Sequence, residues 1–289
     1  MFTGCYTAIV TPLKKDGSLD LEKFRELINI QAESGIDGIV PVGTTGESPS
    51  LKYDEHNDVI AAAVEACRGR MKVIAGTGAN STSEAVELTK HAIQVGADGT
   101  LQVTPYYNKP NQEGLFRHFT AVADLGLPVV LYNVPGRTAR EISVETVARL
   151  AEHEYITAVK EAGGSVDRVG ATLTRCDITV LSGDDSLTFP MMAVGAKGVI
   201  SVASNAAPRQ VADMTHLALK GKWEEARKLH LQYYPLFRDL FIDTNPIPVK
   251  AAMSMMGLIE EVYRLPLCPM EDSLKQQLRK TLQSLGLLD

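Results

Sequence analysis

Eight short apolar runs constrain this chain more than any other feature. They lie at Tyr6–Thr11, Gly38–Gly43, Lys72–Gly76, Thr100–Thr104, Val129–Asn133, Ile156–Lys160, Ile178–Ser182 and Gly198–Val202. Each is followed by a loop rich in Gly, Thr, Ser, Pro or Asn and then by a helix-like pattern, the signature of strand–helix units. "LEKFRELINIQAES" places Leu21, Phe24, Leu27 and Ile28 on one helical face. "STSEAVELTKHAIQVG" opens with Ser81 and Glu84 at capping-box spacing and closes at Gly96. Eight such units at near-regular spacing predict an α/β fold, a (β/α)8 TIM barrel. A doubly wound sheet is the alternative, but it rarely needs eight units. Further helical segments are expected near 208–221, 222–240 and 246–286. The barrel is therefore expected over 1–222 and a C-terminal helical extension over 223–289.

Size and composition fit. The chain has 289 residues, 45% hydrophobic and 22% charged, an ordinary globular balance with length for one barrel and its core. A formal net charge of -6 and the lack of a Lys/Arg cluster argue against a nucleic-acid partner. The N-terminal "MFTGCYTAIVTP" has no basic region followed by a long apolar one, and no stretch approaches a membrane span. Cys5, Cys67, Cys176 and Cys268 are scattered, with no CxxC and no metal-ligand spacing. A reduced, cytoplasmic protein is expected, with neither membrane nor metal.

"EYITAVKEAGG", from Glu154 to Gly164, raises a question. Lys160 stands at the end of the sixth apolar run, just before a Gly-Gly pair. Alone, the stretch reads as a solvated lysine at a strand end. In a barrel the same position lies at the C-terminal mouth, where barrel chemistry is assembled from βα loops. An ordinary lysine is only about one part in two thousand neutral at pH 7. Desolvation and neighbouring groups can lower its pKa and supply a nucleophilic amine.

The other run ends carry chemistry too. "GTTGES", Gly43 to Ser48, sets the hydroxyls of Thr44 and Thr45 among backbone N–H groups, a cluster suited to a small carboxylate or to an ordinary tight turn. "TPYYN" brings Tyr106 and Tyr107; "LYNVPGRT" brings Tyr132 and Arg137. Tyrosine can relay protons, and arginine grips carboxylates bidentately. "AGTGANS" mimics a dinucleotide loop, but no acidic residue ends the next run to hold a ribose, so it reads as a plain turn. "GDD" at Gly183–Asp185 is not accompanied by a histidine motif; Asp184 and Asp185 read as structural or supporting residues.

"GTTGES", "TPYYNKP", "LYNVPGRT" and "VKEAGG", in this order and at these separations, resemble the dihydrodipicolinate synthase family of the pyruvate-dependent aldolases. The likeness runs from "MFTG" through "NPIPVK" (Asn245–Lys250) to the C-terminal helices. It implies condensation of pyruvate with L-aspartate 4-semialdehyde to 4-hydroxy-tetrahydrodipicolinate, the first committed step towards diaminopimelate and L-lysine. Lys160 would form a Schiff base with pyruvate, and no external cofactor would be required, because the imine is the electron sink. Thr44, Tyr107 and Tyr132 match the family's proton relay, with Tyr107 donated across a dimer interface. Thr45 matches a pyruvate-carboxylate contact and Arg137 the residue holding the semialdehyde's carboxylate. Gly183 and Ile200 match pocket positions that act through backbone groups. The resemblance further implies a homotetramer of two tight dimers. It also implies feedback inhibition by L-lysine at Ser48, His56, Asn80, Glu84 and Tyr106. Pro49 and Tyr53 depart from one pattern of that inhibitor site, where a small residue and a histidine stand. Two alternatives remain: a sugar-acid aldolase such as N-acetylneuraminate lyase, disfavoured by Arg137, and a non-catalytic binding protein on the same barrel.

Overall fold

The computed structural model describes residues 2–288. Met1 and Asp289, the outer limits of the two expected regions, lie outside them. Eight parallel strands close into a barrel in sequence order: β1 (Gly4–Thr7), β2 (Gly38–Ile39), β3 (Lys72–Gly76), β4 (Gly99–Val103), β5 (Val129–Asn133), β6 (Ile156–Glu161), β7 (Thr179–Ser182) and β8 (Gly198–Ser201). The expected (β/α)8 architecture is the one present. The outer helices are α1 (Leu21–Glu33), α2 (Tyr53–Cys67), α3 (Thr82–Val95), α4 (Gln112–Ala123), the short α5 (Pro135–Thr138), α6 (Val144–Leu150), α7 (Val166–Leu173), α8 (Asp185–Ala193) and α9 (Pro208–Leu219). Then come α10 (Trp223–Asp239), α11 (Ile247–Met255) and α12 (Asp272–Ser284).

Strand parity divides the core. Tyr6, Ile74, Val130, Ala158, Leu181 and Ile200 point inward and fill the barrel. Their neighbours Val129, Leu131, Val159 and Val180 point outward and pack beneath the helices, as the two-residue side-chain period requires. A third cluster runs from Ile9 and Phe24 into Phe237, Val249 and Leu278, so the C-terminal helices share a core with the barrel's first units.

Four expectations needed correction. The second strand is two residues long rather than running to Gly43, because Pro41 has no N–H to donate and Val42 leaves the ladder at φ 50°. The first strand stops at Thr7, and the Val10 amide donates instead to Asn205 Oδ1 at 3.1 Å. The segment expected over 246–286 is two helices. α11 ends at Met255, and Gly257, just past its cap at Met256, takes the left-handed φ of 72° that glycine allows without a Cβ clash. The Ser81–Glu84 capping box is also absent: Ser81 makes no cap bond, and its hydroxyl lies 2.9 Å from that of Ser83.

Candidate active site

Inward parity carries Lys160 to the mouth. Ala158 belongs to the barrel filling, so Lys160, two residues on, enters the space above it. The lysine is 5% exposed. Tyr132 is its register partner on β5, and Lys160 Nζ lies 4.3 Å from the Tyr132 ring centroid. Gly183 makes room: a Cβ there would fall 3.0 Å from Lys160 Cε and 2.6 Å from Ala162 Cβ. The next residue of β6, Glu161, points outward and is buried. It accepts from Asn133 Nδ2 at 2.9 and 3.0 Å and from Arg168 Nε at 2.8 Å, which fixes the strand end that presents the lysine.

Lys160 shares a cavity of about 70 Å³ with Thr44, Thr45, Tyr132, Arg137 and Gly183. Thr45 is buried, and its Oγ1 accepts from Asn245 Nδ2 at 3.1 Å. Arg137 sits on the single turn α5 and donates Nη2 to the Asn245 carbonyl at 3.1 Å. Asp184 is also in the wall: burial raises its carboxyl pKa and Lys160 lowers it again. That moves Asp184 from supporting residue to wall residue. Asp185 keeps a structural part, accepting from Ser201 Oγ at 2.5 Å and from the amides of Val202 and Ala203, both at 3.0 Å. Ile200 is wholly buried in the barrel filling, and Val202, just past β8, takes the place in the wall expected of it.

A second cavity of about 220 Å³ adjoins the first through Gly43, Thr44, Tyr132 and Arg137, and it reaches Ser48 and Tyr106. Tyr107 lines neither. It is 91% exposed, with its backbone left-handed at φ 73°. Among the described residues the non-glycine positive-φ positions are Val42, Glu47, Tyr107, Lys109 and Ala139. All lie in loops at this end of the barrel, where sparsely populated backbone often accompanies function.

The five positions of the expected inhibitor site are not gathered into one cavity of this chain. Ser48 and Tyr106 line the larger cavity. Glu84 is exposed on the first turn of α3, and Tyr106 is close enough for burial, then Glu84, to raise its hydroxyl pKa. The Asn80 carbonyl accepts from Asn108 Nδ2 at 2.8 Å. His56 lies deeper, its Nε2 3.0 Å from the Gly76 carbonyl, with burial lowering its pKa to about 4.

Asn245, Val202 and Phe241 are wall residues to which the sequence reading gave no role. Only Asn245 left a signal, as the first residue of the quoted "NPIPVK".

Comparison with known proteins places this geometry. The model of the dihydrodipicolinate synthetase family matches residues 1–285. The chain is 53% identical over 291 residues to the 4-hydroxy-tetrahydrodipicolinate synthase of Geobacter sulfurreducens, covering the whole of both. The chloride-inhibited dihydrodipicolinate synthase of Acinetobacter baumannii, solved with pyruvate, superposes with a TM-score of 0.98 at 43% identity over all of both chains. The enzyme of Cyanidioschyzon merolae with lysine bound superposes with a TM-score of 0.96 at 42% identity, over 99% of each chain. Full-length identity, a shared barrel and a buried lysine at the end of β6 converge: this enzyme belongs to the dihydrodipicolinate synthetase family.

Proposed function

We propose that the chain condenses pyruvate with L-aspartate 4-semialdehyde, with Lys160 as the covalent catalyst. The observation that carries this is the buried Lys160 amine against the Tyr132 ring, in one cavity with Thr44, Thr45 and Arg137. The amine adds to the ketone carbon of pyruvate, water leaves, and the iminium draws electrons from the methyl carbon. Loss of a methyl proton gives an enamine, which attacks the aldehyde. The amino group of the adduct then attacks the imine carbon, closes the ring and releases Lys160. Thr45 and nearby amides receive the carboxylate of pyruvate, and Arg137 at the cavity entrance receives that of the semialdehyde. Gly183 leaves space beside the lysine, while Ile200 belongs to the barrel filling that also holds Tyr132.

Tyr132 and Thr44, which line the same cavity as Lys160, pass protons in this reading, and Tyr107 completes the relay from a second copy. Its exposure, with Tyr53 and the neighbouring Tyr106 also exposed, suits a surface that a second copy covers, and a pair of such dimers gives the proposed homotetramer. L-lysine is the proposed feedback inhibitor, at Ser48, His56, Asn80, Glu84 and Tyr106 of the paired copies. The lysine-bound relative supports this, as does the lack of a capping duty for Glu84. A reducing cytoplasm suits four cysteines without a disulfide. Among the described residues no helix is long and apolar enough to cross a membrane.

The test is borohydride trapping with pyruvate, followed by tryptic mass spectrometry. The adduct is expected on Lys160, and a label on another lysine overturns the mechanism. Parallel assays of pyruvate with aspartate semialdehyde and with sugar aldehydes separate the synthase reading from a sugar-acid aldolase. A lysine titration to millimolar levels that leaves the rate unchanged removes the inhibitor site alone.

A further inference from the structure

The loop that carries Thr44 and Thr45 ends on a buried charge. Glu47 is 2% exposed, its backbone left-handed at φ 56°. Its Oε1 accepts from Lys250 Nζ, and Lys250, on α11, is wholly buried. The other oxygen, Oε2, lies 3.4 Å from the Arg264 amide. Lys250 Nζ also stands 5.3 Å from the Tyr263 ring centroid. Burial lowers the Lys250 pKa, and the Glu47 carboxylate raises it again.

A buried ion pair is a poor device for stability, because desolving two charges offsets most of their attraction. This pair has a more specific consequence. Glu47 is two residues from Thr45, and Lys250 is five residues from Asn245, whose side chain holds the Thr45 hydroxyl and whose carbonyl holds Arg137. A second tie comes from the loop's other side, where Thr11 Oγ1 donates to the Gly46 carbonyl at 2.7 Å. The Arg264 guanidinium then staples the surrounding segments: it donates to both Glu55 oxygens at 2.6 and 2.7 Å, to the Gly17 carbonyl at 2.8 and 3.0 Å, and to the Ser50 carbonyl at 3.0 Å.

We propose that Glu47 and Lys250 are positioning residues acting as one unit, through which the C-terminal extension holds the Thr44–Thr45 loop in register with Lys160. The inference rests on the reaction proposed above. Neither residue touches substrate; each acts by fixing groups that do. A shift of about 1 Å in such groups can cost on the order of a hundredfold in rate.

The experiment uses the full-length enzyme. Lys250→Met leaves the Glu47 carboxylate buried without a cation, so both melting temperature and kcat should fall. Glu47→Gln/Lys250→Met removes both charges, so the melting temperature should return towards wild type. Its kcat, measured well below unfolding, should stay roughly ten- to a hundredfold low, while saturating pyruvate is still trapped on Lys160. A double variant with kcat within about twofold of wild type, or one whose kcat falls only in step with its melting temperature, overturns the proposal. Should the methionine variants fail to fold, Glu47→Gln carries the test: it keeps the volume but leaves Lys250 buried without its carboxylate, so the melting temperature should fall, and kcat, measured well below unfolding, should fall roughly ten- to a hundredfold. Wild-type kcat in that variant overturns the proposal equally. Failure to trap pyruvate on wild-type Lys160 would instead sink the underlying reaction, so the two failures are distinguishable.

Discussion

The two ends of the barrel use the same residue types for opposite purposes. At the floor, where strands begin, glycines let backbones and rings close. A Cβ on Gly198 would meet the Gly4 carbonyl at 1.9 Å, one on Gly38 would meet the Tyr6 ring at 2.5 Å, and one on Gly99 would meet the Phe2 ring at 2.5 Å. Phe2 and Tyr6 plug that end, ring edge to ring face, with centroids 6.1 Å apart. Its carboxylates hold backbone amides: Asp37 Oδ2 accepts from the Cys5 amide at 2.7 Å, and Asp98 Oδ2 from the Val73 amide at 2.8 Å. At the mouth, Gly183 instead clears the path of a lysine chain. There, Asp184, Arg137 and Tyr107 keep groups in a cavity or in solvent. Polar groups are saturated where the barrel needs closure and left available where it needs chemistry.

The sharpest way to break this contrast is to remove one residue at each end. Lys160→Ala should abolish turnover, by more than about a thousandfold, with an unchanged or higher melting temperature because a buried amine is lost. A variant that instead unfolds would make Lys160 a structural residue. Tyr107→Phe should cost roughly 10²–10⁴-fold in kcat and leave the melting temperature alone, since the side chain is exposed. Mixing inactive Lys160→Ala and Tyr107→Phe subunits should restore part of the activity, and no recovery after verified exchange would place Tyr107 outside the site.

At the floor the signs reverse. Gly198→Ala, at φ 148° and with no room for a Cβ, should lose about 3 kcal/mol or more of stability, read from urea midpoints, with kcat per folded molecule kept. Gly183→Ala should do the opposite on a smaller scale: about a tenfold loss in kcat/KM for pyruvate, because the added methyl presses on Ala162 Cβ, the Lys160 chain and, less closely, the Glu161 carbonyl. A stability loss matching that of Gly198→Ala would erase the contrast.

The smallest effect concerns pH. His216 Nε2 lies 2.7 Å from Asp37 Oδ2 at the floor, and this bond, more than the opposing burial, raises the His216 pKa. Its stabilisation is therefore fully present below the unfolded value of about 6.5 and is lost as pH rises through the folded pKa. The pair is partly exposed, so the loss should stay below about 1 kcal/mol. His216→Gln should flatten the stability profile above neutrality and leave the pH profile of kcat unchanged.

Much of this was legible beforehand. The eight runs located every strand, because strand period and β-propensity are local. Lys160, Tyr132, Thr44, Thr45 and Arg137 were singled out at run ends, and they meet in one cavity because a barrel brings all its strand ends together. Strand 2 was overextended because Val42 adopts a backbone that no propensity favours. The Ser81–Glu84 spacing misled because a capping motif also needs its rotamer. Asn245 was quoted without a duty because nothing near it in sequence gives it one.

What the sequence determined by itself was periodicity and chemistry: eight alternating units, a lysine amine at the end of the sixth, hydroxyls at the second, tyrosines and an arginine at the fourth and fifth. Those features follow from residue type and short spacing. The tertiary structure alone decided which partners distant segments would find. Asn245 reaches Thr45 across 200 residues, and Lys250 reaches Glu47 across 203. At such separations no local pattern encodes a contact. It forms because α11 shares a core with the first barrel units, and that packing brings its polar residues beneath the threonine loop.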